Sequence, residues 1–182
     1  MSKPPPIELE FSRKYDQEHA VQYLHKHHDG LARRLSHWRD EQLARRALKQ
    51  ADEPNLVLDL PCGAGRFWPL LAERPNRVIL AADNSAHMLA TAQASQPAEV
   101  VSRVEAFQTS AFEITLGPNA VDCIFCIRLL HHIADAEHRL AILREFRRVT
   151  RDTVIISLWV DGNYKAWKRK RPEAKRASQG RG

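Results

Sequence analysis

Residues 56–83 read LVLDLPCGAGRFWPLLAERPNRVILAAD, and the order of events inside them decides the fold. The run 56–60 is apolar except for Asp59, as expected of a short strand covered on both faces. It breaks at Pro61 and enters a turn holding Gly63 and Gly65, after which residues 66–73 carry a helical pattern. A second apolar run, RVILAAD (77–83), then ends on Asp83. Strand, tight turn, helix and strand in that succession predict a parallel βαβ unit.

The alternation continues beyond this unit. Residues 85–95 (SAHMLATAQAS) predict a helix opening on a Ser85 cap. VVSRVEAFQ (100–108) predicts a third strand, VDCIFCIRL (121–129) a fourth, residues 136–149 a helix and TVIISLW (153–159) a fifth strand. Apolar strands separated by amphipathic helices imply a doubly wound α/β domain with a mostly parallel sheet, whose ligand lies beyond the carboxyl ends of the strands. Upstream, residues 16–50 look helical with a break near Asp29–Gly30. Leu31, Leu35, Trp38, Leu43, Ala47 and Leu48 approximate an apolar stripe there.

Three features fall at consecutive strand ends: Asp59 with Gly63 and Gly65, then Asp83, then Ser110–Ala111–Phe112. Glycines without a Cβ let a ligand approach bare backbone, and the helix that follows offers free N–H groups. An acid closing the second strand suits the two hydroxyls of a ribose. A nucleoside cofactor is therefore expected. Trp68 stands where a dinucleotide fingerprint requires its third glycine, which disfavours a pyrophosphate ligand. No GK[ST] follows a glycine-rich turn, so a P-loop is excluded.

VLDLPCGAGRF, AADNSAHML, VDCIFCIRLLHHI and LREFRRVTRD, in that order over roughly residues 55–160, resemble the successive motifs of class I S-adenosylmethionine-dependent methyltransferases. The resemblance implies a Rossmann-like fold and methyl transfer from S-adenosylmethionine. Asp59, Cys62, Gly63, Ala64 and Gly65 would hold its methionine part. Asp83 would hold the ribose with Asn84 beside it, and Met88 would pack near the adenine bordered by Ser110, Ala111 and Phe112. Cys126, followed by Ile127 and Arg128, would face the sulfonium and the acceptor. Arg128, His131 and His132 are the candidate catalytic residues. Many members carry an acid where Ser110 stands, and a hydroxyl accepts from the adenine amino group more weakly than a carboxylate does. Glycine is more usual at Pro61, whose ring stiffens the exit from the strand without touching Gly63 or Gly65.

The remaining composition sets the partners. The chain has 182 residues, 43% of them hydrophobic and 27% charged, enough for one domain. No apolar stretch approaches the ~20 residues of a membrane span, and MSKPPPIELEF lacks a signal-peptide core, so a cytoplasmic location is expected. The net charge of +6 is local: eight basic residues and one acid lie between Lys165 and the end, leaving the rest at −1. Residues 1–15 read as a polar lead-in, 16–160 as the methyltransferase domain and 161–182 as a basic tail low in apolar residues. No metal is expected. Cys123 and Cys126 form a CxxC, but three apart on a strand they face opposite ways, and His25, His27 and His28 read as a solvated helix face. An [ND]PP[FY] tetrapeptide, the mark of amino-nitrogen methylation of nucleic acid, does not follow the fourth strand.

The expected acceptor is a small-molecule or lipid-like metabolite, with nucleic acid reachable through the tail as the less favoured partner. The alternative readings are a cofactor-binding scaffold without chemistry and an RNA methyltransferase. Members of the family add a two-strand hairpin after the fifth strand. The 23 residues after Trp159 are too polar to supply it, which raises truncation, a shortened member or a partner chain covering the fifth strand.

Overall fold

The structure is a computed structural model and describes residues 31–158. The lead-in, the residues 16–30 read as helical, the His25–His28 cluster, the basic tail and any hairpin after the fifth strand lie outside the described residues. Helix α1 (Leu31–Gln50) leads into strand β1 (Leu56–Asp59), helix α2 (Trp68–Ala72) and strand β2 (Val78–Asp83). Helix α3 (Ala86–Ser95), a single turn α4 (Ala98–Val101) and strand β3 (Val104–Gln108) follow. Strand β4 (Val121–Cys126), a 3-10 turn (Leu130–His132), helix α5 (Ala136–Val149) and strand β5 (Thr150–Ile156) complete the described chain. The five strands form one sheet in the order β3-β2-β1-β4-β5. Every pairing is parallel. This is the doubly wound architecture expected, with the order reversing beside β1.

Alternation along the strands divides the core. Leu58, Ala82, Ile124 and Cys126 face α5 through Ile142, Phe146 and Val149. Val57, Ile79, Cys123 and Phe125 face α1 and α2 through Ala44, Leu48, Leu70 and Leu71. The two cysteines of the CxxC thus belong to opposite faces of the sheet, as the spacing required. Each buried branched side chain contributes about 1.5–3 kcal/mol, so these layers hold the strand ends rigidly under the site. The cap expected at Ser85 is present, and a second, not read from the sequence, stands at Asp135. Ser85 accepts from the Met88 amide and Asp135 from the His138 amide, at the starts of α3 and α5.

Three expectations need correction. The apolar run 100–108 is not one strand: Pro97 starts the turn α4, whose residues Val100 and Val101 pack in the Trp68–Ala81–Leu89 cluster, and the ladder begins only at Val104. The fifth strand begins at Thr150, directly off α5, because Thr150 pairs with Val121 and its hydroxyl donates to the Asp122 carbonyl at 3.0 Å. On α1 the buried positions are Ala44 and Leu48, whereas Leu35, Trp38 and Leu43 are exposed. Leu31 lies outside the described side chains. The face of α1 that meets the core is therefore the one carrying Ala44 and Leu48, with Ala47 and Ala51 partly buried beside them.

Candidate cofactor and methyl-transfer site

The carboxyl ends of β1, β2 and β4 converge around the turn 60–67. Four backbone bonds set its course. The Leu60 amide donates to the Phe125 carbonyl and the Cys62 amide to the Ala82 carbonyl, so the chain leaves β1 between its two neighbours. The Gly65 amide donates to the Cys62 carbonyl and the Trp68 amide to the Gly65 carbonyl, which closes the turn onto α2. The Leu60–Pro61 peptide is cis. Gln96 pins the far side by donating to the Ala64 carbonyl at 3.1 Å.

Both glycines lie in the left-handed region, Gly63 at φ +54° and Gly65 at φ +72°. They differ in what surrounds them. A Cβ on Gly63 would meet only the Met88 methyl at 3.5 Å, an ordinary contact, whereas one on Gly65 would stand 2.8 Å from the Trp68 ring. Gly65 is therefore demanded by packing as well as by backbone, and Gly63 chiefly by backbone. Trp68, which replaces the third fingerprint glycine, is fully buried, and its bulk fills the space behind Gly65.

The acids are buried in an unusual way. Asp59 and Asp83 are 2% and 8% exposed and influence each other electrostatically. Burial pushes the Asp59 carboxyl well above its ordinary value, the Asp83 charge pushes it further, and the Trp68 indole N–H opposes both. That N–H has no hydrogen-bond partner of ordinary geometry in the structure. Burial also raises Asp83, against the pull of the amides it accepts from, Gly63 on Oδ2 and Ser85 on Oδ1, both at 2.9 Å. Nearby Cys62 and Cys126 have thiols pushed up chiefly by burial and further by Asp59, so both stay protonated and inert.

The remaining expected residues are placed as follows. Asn84 is exposed beside Asp83, and its carbonyl accepts from Gln108. Met88 is buried against Gly63. The Ser110 hydroxyl accepts from the Phe112 amide at 3.2 Å, Ala111 packs on the α5 layer, and the Phe112 ring meets His138 edge-on at 5.8 Å. Beyond β4, Arg128 adopts φ +64° and its amide donates to the Ser157 hydroxyl at 2.8 Å. Its guanidinium pairs with Asp40 of α1 at 2.5 Å. The His131 and His132 rings sit 4.0 Å apart between centroids. Burial, then His132, then Arg128 pull His131 down to about 4; burial and Arg128 lower His132. Both imidazoles are neutral at pH 7.

Sequence reading missed Asp40, Arg66, His37 and Gln96. Asp40 also accepts from Arg66 Nη2 at 2.9 Å, while Arg66 Nε donates to His37 Nδ1 at 3.0 Å. None of these has a local motif; each is defined by a partner at least 26 positions away.

The residues present fit the expected cofactor. A bare-backbone cradle lies beside two carboxylates with no cation near them among the described residues, and the buried Trp68 indole N–H points toward Asp59. That set suits a ligand combining cationic centres with ribose hydroxyls. Among the described residues no group of three or more His, Cys, Asp or Glu could hold a metal, and no helix is long and apolar enough to cross a membrane.

Comparison with known proteins agrees. The model of the methyltransferase domain family matches residues 57–153. A tRNA (carboxymethyluridine(34)-5-O)-methyltransferase of Xenopus tropicalis is 26% identical over 164 residues, covering 87% of this chain and 24% of that protein. The mouse protein of the same name is 26% identical over 98% of this chain and 26% of its own length. A putative O-methyltransferase from Nostoc punctiforme superposes with TM-score 0.57 at 29% identity, over 65% of this chain and 36% of that one. Magnesium protoporphyrin IX methyltransferase from Synechocystis PCC 6803, solved with bound SAH, shares the fold at TM-score 0.74 and 16% identity, over 90% of this chain and 77% of that one. The chain spans 19% to 26% of the length of the curated relatives it matches. The family model covers more than half of the chain, and the all-parallel doubly wound sheet agrees with it: the chain belongs to the methyltransferase domain family, the S-adenosylmethionine-dependent enzymes of class I fold.

Proposed function

We propose that this protein transfers a methyl group from S-adenosylmethionine to an acidic oxygen, a carboxylate in the first instance, of a small metabolite. The observation that carries the proposal is the composition of the β4 exit, where Arg128 stands beside two imidazoles held neutral. An alkylammonium or phenol acceptor must lose a proton, and a base with a pKa of about 4 is some six units short of such a group with pKa near 10. A carboxylate arrives already deprotonated and anionic, and arginine attracts it. His131 and His132 then act as neutral walls and hydrogen-bond partners.

Bound S-adenosylmethionine supplies a methyl group on a sulfonium, electrophilic without help from the protein. The chain's residues bind and orient. Gly63, Ala64, Gly65 and Cys62 form the backbone cradle, and Asp59 balances the cofactor's positive charge. Asp83 accepts from the ribose with lone pairs left over from Gly63 and Ser85. Asn84, Met88, Ser110, Ala111 and Phe112 border the nucleoside, while Cys126, fully buried against the α5 layer, supports the site from behind instead of facing the methyl group. Arg128 draws the acceptor toward it.

A second reading, RNA as acceptor, is favoured by the tRNA methyltransferases matched across 87% and 98% of the chain, and by the basic residues after Lys165. One experiment separates the two. The protein is incubated with methyl-labelled S-adenosylmethionine and either a metabolite extract or total RNA, and the product is treated with mild alkali. Label in the small-molecule fraction that alkali releases as methanol supports the proposal; label in RNA supports the second reading; alkali-stable label in small molecules overturns carboxylate transfer.

A further inference from the structure

We propose that Arg66 and Arg128 form a carboxylate-binding subsite at the methyl-transfer end of the site, and that Asp40 of α1 is its built-in placeholder. The two arginines come from different strand exits, one directly after Gly65 and one two residues beyond β4. Both converge on a single oxygen, Asp40 Oδ2, at 2.9 and 2.5 Å. One carboxylate oxygen thus serves two guanidiniums, which leaves a net positive charge and most of their donors unused. Arg66 Nη1 in particular is buried without a partner. The other charged groups nearby do not complete the balance. His37 is lowered chiefly by burial and accepts from Arg66 through Nδ1, so it carries no proton there. Glu41 is shared between His37 at 3.4 Å and Arg45 at 3.8 Å.

Arg128 is also held at a backbone cost. Its left-handed φ of +64° is unfavourable for a long side chain. The Ser157 hydroxyl sustains it. Strain of this kind persists where a side chain must be aimed. A triad serving only to pin α1 would need neither the strain nor the second arginine. A ligand carboxylate with both oxygens free could satisfy the pair in a forked arrangement that Asp40, using Oδ2 alone, does not supply.

Two carboxylates could take this position: that of the acceptor, in which case the inference rests on the proposed function, or that of the cofactor's own amino-acid end. The test uses the full chain, with folding verified by circular dichroism. Wild type, Asp40→Ala and the double variant Asp40→Ala/Arg128→Gln are titrated by calorimetry with benzoate in the presence of saturating S-adenosylhomocysteine. They are titrated separately with S-adenosylhomocysteine and with 5′-methylthioadenosine, which lacks the amino-acid portion. If the subsite serves the acceptor, Asp40→Ala binds benzoate roughly tenfold tighter than wild type, and the Arg128→Gln addition removes the gain. If it serves the cofactor, the gain appears for S-adenosylhomocysteine and not for 5′-methylthioadenosine. A folded Asp40→Ala that gains in neither arm overturns the proposal. Should Asp40→Ala fail to fold, Asp40→Asn keeps the shape and removes the charge; a gain of about threefold is then expected, and no gain is again fatal. These binding results do not depend on turnover, so an alkali-stable methyl product would defeat carboxylate transfer while leaving the cofactor arm standing.

Discussion

The two ends of the sheet handle charge in opposite ways. At the amino ends of the strands every buried charge is answered by the protein. Arg77, 4% exposed, donates to the Pro54 and Leu71 carbonyls and pairs with Glu53 at 2.6 Å. Arg103 donates to the carbonyls of Ala72, Arg74, Pro75 and Arg77. Asp122 accepts from the Leu56 amide and from Arg151. At the carboxyl ends, Asp59 has Asp83 for its principal charged neighbour and a raised pKa to show for it. One end is built to hold itself together and the other to hold something else. Stability and binding should therefore separate along the strand axis.

The most severe way to break the contrast is at the cradle itself. Gly65→Ala places a Cβ in the left-handed region and into the Trp68 ring, so loss of S-adenosylhomocysteine binding by roughly a hundredfold or more is expected by calorimetry. Gly63→Ala, with space beside Met88, should lose about tenfold. Equal losses would mean that the Gly65 contact is not what shapes the turn.

Next in size is a double dissociation. Arg77→Met leaves buried carbonyls unsatisfied and should cost about 2–3 kcal/mol, lowering the melting temperature by roughly 5–10 °C with cofactor affinity intact. Asp59→Asn should do the reverse at pH 7.5, raising the melting temperature of the free protein while weakening binding roughly tenfold. A destabilised Asp59→Asn would refute the view that this carboxylate awaits a ligand.

The dependence on pH sharpens the same comparison. Burial holds the Asp59 pKa above its unfolded value, so its contribution favours the fold in acid and is lost as pH rises from about 4 toward the folded pKa. The Leu56 amide, then Arg151, hold Asp122 below its unfolded value, so its contribution is present above about pH 4 and lost as pH falls. Melting curves against pH should show the Asp59→Asn gain widening toward neutral pH and the Asp122→Asn penalty vanishing in acid. Parallel profiles would deny the asymmetry. The smallest effect is expected at Ser110, whose hydroxyl is engaged by the Phe112 amide: Ser110→Ala should change S-adenosylhomocysteine affinity by less than about threefold.

The sequence by itself determined the framework and the cradle. The helix start signal at Ser85, strand runs ending on Asp59 and Asp83, and glycines where φ is positive are local properties, decided by backbone sterics and by which side chains can cap or pack at a given period. The structure returned them at the expected positions. Only the tertiary structure decided which apolar stretches were strands, which face of α1 met the core and what the arginines bind. Val100 and Val101 entered a turn because Pro97 preceded them and a neighbouring cluster received them. Leu35 and Trp38 stayed outside because the face of α1 carrying Ala44 and Leu48 is the one that packs in the core. Asp40 became part of the site through partners 26 and 88 positions away. Charge pairing across the fold follows distance in space, which a linear pattern does not record; backbone sterics follow the chain, which it does.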